Sequence, residues 1–393
     1  MTATATVPIR SDALLANATR ETGLDDFGDF DISGPLAALC DALDREARLN
    51  ARGEMFARER LATVLATRLR VVEDRKRIPA IADQSIERPI IIPSMPRTGT
   101  TLLFNLLAQD PDNRVPLCWE TLFSSPPPEA ARYDDDPRID HAEAMLDRWG
   151  LSRPDVYAIH PLGARLADEC VFLCEQWLVN TPYGAFWNVP SYVQATAGID
   201  RIAVFGEHRK LLQHLQVRKP GKRWLLKAPS HLSQLDALTA VYPDAVFVQT
   251  HRDLRRVLPS YASLFSALRR TFSDDPANWN ADAMLRETIP ALRHRLARAA
   301  AFRATAPQTF IDILYVEMAS DPLAAVRGIY RQLDLEFAPA VEARMVAWLA
   351  ENRKGKHGTP DYSLAAAGIT DADVEAAFGD YMTGYGIPRE GRS

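Results

Sequence analysis

The stretch "IIIPSMPRTGTTLLFNLLAQDP", from Ile90 to Pro111, carries the strongest fold signal in this chain of 393 residues. It reads as a short apolar strand, a tight polar loop with one glycine, and the start of a helix. Such a connection presents several backbone N–H groups to one point, where the helix dipole adds partial positive charge. The stretch therefore predicts an anion-binding loop.

The residue types in this loop suit a phosphate or a sulfate. Gly99 permits close approach of the backbone, and Thr98, Thr100 and Thr101 supply hydroxyl groups. Arg97 supplies a planar guanidinium that can bind either anion through two parallel hydrogen bonds. The alternative interpretation is an ordinary strand–turn–helix connection with a capping threonine.

A Walker A loop, GxxxxGK[ST], matches this stretch only in part. When Gly99 is aligned with the second glycine, Thr100 replaces the lysine and Ser94 replaces the first glycine. The Thr101 hydroxyl could still contact magnesium, but the missing lysine argues against an ATPase.

Short apolar runs alternate with helical segments along the rest of the chain. Runs typical of strands covered on both faces lie at Ile90–Ile92, 224–226, 245–250 and 311–316. This alternation predicts an α/β fold, with a P-loop-like, doubly wound parallel sheet flanked by helices.

The pattern also suggests how the chain is organised. Residues 1–87 are predicted to form a helical N-terminal segment packed on the core, with Gly53 as a helix stop. Residues 88–393 are predicted to form the α/β domain. An insert at about 111–222 would lie over the carboxyl ends of the strands, where a substrate pocket is expected.

Two more basic stretches suit a phosphorylated ligand. In "HRDLRRVLPSYASL", Arg252 leaves a strand and Ser260 follows two helical turns later, so the two side chains can bracket a second phosphate. A surface helix with arginines is the alternative. Arg353, Lys354 and Gly355 form a short basic loop that resembles a clamp over a nucleotide phosphate, with a solvated linker as the alternative.

Together, these motifs resemble the sulfotransferases that use 3′-phosphoadenosine 5′-phosphosulfate (PAPS). "PSMPRTGTTLL" is similar to their 5′-phosphosulfate loop, "HRDLRRVLPSYASL" to their 3′-phosphate motif, and "RKG" to the C-terminal clamp of the cytosolic members. "LYVEMASDP" resembles the segment whose tyrosine lies by the adenine, which assigns that place to Tyr315. The resemblance covers roughly residues 88–358 and is closest to a bacterial branch with a helical N-terminal segment.

The resemblance implies transfer of a sulfuryl group from PAPS to a hydroxyl of a small, apolar acceptor. The product would be 3′-phosphoadenosine 5′-phosphate (PAP), and no metal is expected. Arg97 and Lys227 are expected beside the transferring group, although a snorkelling lysine at the sheet edge is the alternative for Lys227. The competing hypotheses are an ATP-dependent small-molecule kinase with a degenerate P-loop and a non-catalytic nucleotide-binding protein.

The sequence leaves four residues open as the base that accepts the acceptor's proton. Glu120 matches the place where protein-tyrosine sulfotransferases have a catalytic glutamate. His231 lies four residues after Lys227, whereas the cytosolic sulfotransferases have their histidine two residues after the equivalent lysine. His160 and Glu169 are further polar groups in the apolar insert.

The insert is also rich in aromatic residues, which belong either to the core or to the wall of an apolar acceptor pocket. They are Phe172, Trp177, Tyr183, Phe186, Trp187 and Tyr192.

The composition of the chain argues against some classes of binding partner and favours one cellular location. A formal net charge of -5 argues against nucleic-acid binding. The sequence contains no run of about 18 apolar residues, so stable membrane insertion is not expected. The N-terminus lacks the pattern of a signal peptide, and four cysteines do not suggest a disulfide scaffold, so a cytoplasmic location is expected. A homodimer is compatible with the sequence.

Overall fold

The computed structural model describes residues 8–157, 161–352 and 364–391, and its central element is a five-stranded parallel sheet. The order of the strands across the sheet is β2-β3-β1-β4-β5. The prediction of a doubly wound α/β fold is therefore confirmed. The strands are β1 (Ile90–Ile92), β2 (Asn113–Arg114), β3 (Arg223–Lys227), β4 (Val246–His251) and β5 (Phe310–Leu314).

The pairing of β1 with β3 brings Lys227 close to the loop that follows β1. Ile92 pairs with Lys227, so the end of β3 lies next to the loop that follows β1. The short strand β2 is absent from the sequence prediction because two residues are too few to give a periodic signal. The last strand ends at Leu314, two residues earlier than predicted, because Tyr315 begins a helix.

Helices cover both faces of the sheet. Before β1 lie α1 (Ser11–Thr22), α2 (Ser33–Arg45) and α3 (Ala51–Arg77). Between β1 and β3 lie α4 (Thr100–Leu107), α5 (Cys118–Leu122), α6 (Pro137–Trp149), α7 (Pro154–Tyr157), α8 (Cys170–Leu173), α9 (Tyr183–Phe186), α10 (Pro190–Thr196) and α11 (Arg201–Gln216). After β3 follow α12 (Leu235–Val241), α13 (Leu254–Phe272), α14 (Ala281–Arg303), α15 (Tyr315–Ser320), α16 (Pro322–Gln332), α17 (Pro339–Glu351) and α18 (Asp371–Gly384).

The apolar side chains of the strands alternate between two core clusters. Ile91 and Phe247 pack in one cluster with residues of α3 such as Leu61. Ile90 and Ile92 pack in the other, which includes residues of α4, α16 and α17. Because successive strand residues point to opposite faces, the three residues of β1 contribute to both layers.

Gly53 lies in the first turn of α3, so the prediction that it ends a helix is wrong. The side chain of Asn50 caps this turn by accepting a hydrogen bond from the Gly53 N–H over 2.9 Å. A Cβ atom at position 53 would collide with the carbonyl oxygen of Phe272 at the end of α13. Glycine therefore serves close packing here, because only a residue without a side chain lets α3 approach α13.

In the described part of the chain, no helix combines the length and the hydropathy that crossing a membrane would need.

Candidate active site

The loop between β1 and α4 has the backbone shape of an anion cradle. Arg97 and Gly99 both adopt positive φ angles, of 68° and 90°. The first hydrogen bond of α4 runs from Leu103 N to Gly99 O over 3.1 Å, so the N–H groups just before Leu103 have no intrahelical acceptor. Left-handed residues at a helix N-terminus can direct such groups toward one point, where an anion would bind.

Gly99 also brings the loop against the residue predicted to lie by the adenine. A Cβ atom added to Gly99 would lie 2.8 Å from Cδ2 of Tyr315 and 2.5 Å from Cε of Met318. Both the φ angle and the lack of space therefore require glycine at this position.

The three threonines of the loop differ in their surroundings. The Thr98 hydroxyl is buried, donates a hydrogen bond to Met95 O over 2.7 Å, and lies 2.6 Å from the Thr250 hydroxyl. Thr98 thus ties the loop to β4, and its hydroxyl serves the scaffold. Thr100, at the start of α4, is buried, whereas Thr101 is exposed.

Four residues predicted separately as donor contacts meet beside this loop. Nε of Arg97 donates a hydrogen bond to Oγ of Ser260 over 2.7 Å. Nη1 of Arg252 donates to the carbonyl oxygen of Arg97 over 3.1 Å. The Arg252 guanidinium also lies over the Tyr315 ring, 3.8 Å from its centroid. The first loop, the end of β4, α13 and the start of α15 therefore converge on one place.

The cluster has the electrostatic character of an anion site. Burial, and in second place the neighbouring Arg252 guanidinium, lower the pKa of Arg97. The second cause means that the two cations lie close enough to repel each other. An anion bound between them would offset that repulsion.

Lys227 lies at the same edge of the sheet, at the end of β3, and is 4% exposed. Its Nζ atom is 2.7 Å from Oε1 of Glu169, and it lies 5.3 Å from the centroid of the Phe104 ring. The bridge between Leu117 and Ala167 holds the segment that carries Glu169. The structure therefore pairs Lys227 with one of the four residues considered as the base.

Comparison with known proteins identifies the family of this chain. The model of the sulfotransferase family matches residues 89–339, which is more than half of the chain and includes the loop, Lys227, Arg252, Ser260 and Tyr315. The chain belongs to the sulfotransferase family. The family and the enzyme class inferred from the four motifs are thus confirmed.

Mycobacterial sulfotransferases are among the similar proteins. The crystal structure of STF1 from Mycobacterium tuberculosis H37Rv has a TM-score of 0.80 and 32% identity, covering 94% of this chain and 98% of that one. STF9 from Mycobacterium avium has a TM-score of 0.86 and 27% identity, with both chains fully covered. Omega-hydroxy-beta-dihydromenaquinone-9 sulfotransferase Stf3 from Mycobacterium bovis is 26% identical over 315 residues, which is 77% of this chain and 76% of that protein.

In this sulfotransferase, Glu120 lies in a closed ion-pair network, which disagrees with the prediction that it acts as the base. Its carboxylate pairs with Arg114, also accepts hydrogen bonds from Leu117 N and Tyr133 OH over 2.9 Å each, and is fully buried. Glu120 is better described as one member of a buried ion pair with Arg114, an arginine of the insert. With both oxygens engaged by protein donors, Glu120 stabilises the start of α5.

The surroundings of His231 also disagree with a role as the base. The side chain is 1% exposed, and its ring centroid lies 5.4 Å from that of Phe205 and 6.4 Å from that of His208. Neither ring nitrogen has a hydrogen-bond partner in the described part of the structure. Burial, and secondarily His208, lower the pKa of His231 to about 3. This imidazole is a neutral core group.

Four other predicted site residues, His160, Arg353, Lys354 and Gly355, lie outside the described residues.

The aromatic residues of the insert are mainly core. Trp177, Tyr183, Trp187 and Tyr192 are at most 3% exposed. Phe172 and Phe186, together with residues of α3 and α6, line a mostly apolar cavity. Its lining includes Phe56, Leu122, Leu146, Trp149, Phe172 and Phe186, together with the polar residues Arg60 and Asp168.

One polar residue of this cavity, Asp168, directly precedes Glu169 and accepts a hydrogen bond from its N–H over 2.9 Å. Asp168 accepts a hydrogen bond from the Thr121 hydroxyl over 2.7 Å, and burial raises its pKa to about 6. Arg60 pairs with Glu175, whose pKa burial raises to about 7. Because Asp168 directly precedes Glu169, the cavity adjoins the segment that contacts Lys227.

Sequence reasoning missed one partner of the site altogether. Glu390 binds Arg252 through two hydrogen bonds, although 138 residues separate them in the chain. Glu390 belongs to no motif, and no local pattern predicts a contact over such a distance.

Proposed function

We propose that this sulfotransferase moves a sulfuryl group from PAPS to a hydroxyl group of a small apolar acceptor, releasing PAP. The observation that carries the proposal is the meeting of Arg97, Arg252, Ser260 and Tyr315 beside the loop after β1. An adenosine with anionic groups on both the 3′ and the 5′ carbons of its ribose would use all four residues.

Each part of the donor has a partner in this scheme. The 5′-phosphosulfate would bind at the N-terminus of α4, to Thr100, Thr101 and the backbone near Gly99. The 3′-phosphate would bind Arg252 and Ser260, and the adenine would pack near Tyr315. Arg353, Lys354 and Gly355 are proposed as a further clamp on the basis of their sequence alone.

Transfer is proposed to be an in-line displacement with Glu169 as the base. Glu169 accepts the proton of the acceptor hydroxyl as that oxygen forms a bond to sulfur. The bond between sulfur and the bridging oxygen of the donor breaks, and Lys227 and Arg97 neutralise the negative charge that the phosphate retains. The support for Glu169 is its 2.7 Å contact with Lys227 and a side chain that is 15% exposed, so an acceptor can reach it.

The acceptor is proposed to lie against the apolar insert beside Glu169. The cavity between α3, α6 and the insert has a volume of only about 10 Å³, so it would have to widen to admit an acceptor. An apolar lining favours a phenol, a sterol, a lipid alcohol or a polyketide over a charged glycan. The relative from Mycobacterium bovis is named for action on omega-hydroxy-beta-dihydromenaquinone-9, and a hydroxylated acceptor of that kind supports the same class here.

Calorimetric titration with PAP and with ATP tests the donor. PAP is expected to bind without magnesium and more tightly than ATP, and Arg97→Ala is expected to weaken PAP binding. Preference for ATP, or binding of neither nucleotide, would contradict the proposal and favour the kinase or a non-catalytic protein. A screen of hydroxylated acceptors with labelled PAPS then identifies the acceptor.

A further inference from the structure

The C-terminal segment, residues 386–391, places a carboxylate on the arginine proposed to bind the 3′-phosphate. Nε of Arg252 donates to Oε1 of Glu390 over 2.9 Å, and Nη2 donates to Oε2 over 3.0 Å. The backbone N–H of Glu390 donates to Oδ2 of Asp253 over 3.0 Å. Both the side chain and the main chain of Glu390 are therefore held at the end of β4.

This contact uses the edge of Arg252 that a phosphate would need. A guanidinium binds an oxyanion best through two parallel N–H bonds, as it binds Glu390 here. Nη1 is engaged by the carbonyl oxygen of Arg97, and one face of the group lies on the Tyr315 ring. The Nε–Nη2 edge is thus the paired edge left for an anion, and Glu390 occupies it.

We propose that Glu390 is an internal competitor for the 3′-phosphate, displaced when the donor binds and returned to Arg252 when PAP leaves. The proposal rests on the proposed function, because it assumes that Arg252 binds a 3′-phosphate. A phosphate carries more negative charge than a carboxylate and offers three oxygens, so it wins the exchange at sufficient concentration. Because Glu390 belongs to the same chain as Arg252, its carboxylate acts at a high effective concentration and promotes release of PAP.

The other polar contacts of the segment suit such an exchange. Arg389 pairs with Asp371, but these side chains are 67% and 50% exposed, and exposed ion pairs contribute little stability. The side chains of Arg252 and Glu390 are only 18% and 15% exposed. The contact with Arg252 is therefore the better shielded of the two ion pairs, and it is the one that the 3′-phosphate would replace.

The competition makes Glu390 a determinant of nucleotide selectivity. A nucleotide with a 3′-phosphate must break the pair, whereas adenosine 5′-phosphate has no group that needs the Nε–Nη2 edge. Replacing Glu390 should therefore raise affinity for PAP and leave affinity for adenosine 5′-phosphate unchanged. The expected gain for PAP is about 10-fold, the lower end of the range for a charged hydrogen bond.

The test is calorimetric titration of wild type, Glu390→Gln and Glu390→Ala with PAP and with adenosine 5′-phosphate. Glu375→Gln is the matched control, because Glu375 pairs with Arg255 and loses the same charge. Tighter PAP binding in both Glu390 variants, with Glu375→Gln like wild type, supports the proposal. Wild-type or weaker PAP affinity in the Glu390 variants overturns it while leaving the proposed function intact. Absence of PAP binding in every protein overturns both.

Discussion

Arg97 and Ser260, 163 residues apart in the chain, are joined by a hydrogen bond of 2.7 Å from Nε to Oγ. The bond fixes the guanidinium of the first loop against α13, the helix that begins just after Arg252. The bond thereby connects the 5′ and 3′ anion positions proposed for the donor. Their separation is set before any nucleotide binds, which reduces the ordering that binding requires.

Arg252 is expected to supply much of the affinity for the 3′-phosphate. Arg252→Ala should weaken PAP binding by about 1.5–3 kcal/mol, or about 10- to 150-fold in Kd, the range for a charged hydrogen bond. Calorimetry measures the change. Arg298→Ala, at an exposed arginine paired with Asp236, serves as control. Unchanged affinity in Arg252→Ala would remove this residue from the donor site.

Glu169→Gln should slow turnover by about 10²- to 10⁴-fold, the usual contribution of a general base, with little change in affinity for PAP. Glutamine keeps an oxygen that can accept a hydrogen bond from Lys227, so a role limited to holding Lys227 would survive the substitution. Initial rates with saturating PAPS and the acceptor found in the screen provide the measurement.

The control for this variant is Glu21→Gln, an exposed carboxylate that pairs with Arg70. Turnover of Glu169→Gln at the rate of this control would exclude Glu169 as the base.

Glu120→Gln should mainly reduce stability. Removing one member of a buried ion pair leaves Arg114 without compensation, which typically costs about 3–5 kcal/mol. The midpoint of urea unfolding should fall accordingly, whereas Glu129→Gln, at an exposed pair with Arg218, should unfold like wild type. A Glu120→Gln protein with wild-type stability and no turnover would restore Glu120 as the base.

The buried imidazole of His231 makes stability depend on pH. Its pKa is lowered to about 3 in the folded protein, below the ordinary value of 6.5. The unfolded chain therefore binds the proton more readily, and stability is lost as pH falls below about 6.5. Between pH 7 and pH 5, this residue alone should cost about 2 kcal/mol.

His231→Phe should remove that part of the acid sensitivity and keep turnover at pH 7. The ring packs against Phe205, and its nitrogens have no partner in the described structure, so phenylalanine suits the site. Urea unfolding at both pH values tests the first expectation. An equal loss of stability in His231→Phe and wild type would contradict it, and loss of turnover would contradict the second.

The sequence was a good guide to the sheet and to the residues around the loop. Buried parallel strands appear as apolar runs, and a loop between a strand and a helix has a shape fixed by local residues such as Gly99. Arg97, Arg252 and Ser260 were therefore each found from short stretches. That they touch one another follows from β1 and β4 being adjacent in the sheet.

The base could not be chosen in the same way. Glu169 lies in an insert whose path depends on the bridge from Leu117 to Ala167, and no periodic pattern encodes such a contact. Glu120 and His231 have the residue types and sequence positions expected of a base. Both side chains are buried, however, and the sequence alone does not show this. Glu390 reaches Arg252 only because the chain folds back after α18, so no short stretch of sequence predicts this contact.

One of the two core clusters joins the parts of the enzyme that would recognise its two substrates. Apolar residues that line the cavity, such as Phe56 and Trp149, belong to the cluster on one face, whereas Leu103 and Phe104 behind the first loop belong to the other. The first of these clusters also contains Leu254 and Val257 of α13, the helix that carries Ser260, and the Phe56 ring stacks on Phe272 of that helix with centroids 4.4 Å apart. A change of side-chain volume beside the cavity would therefore reach α13, so redesign for a new acceptor has to preserve the packing that positions the proposed donor contact Ser260.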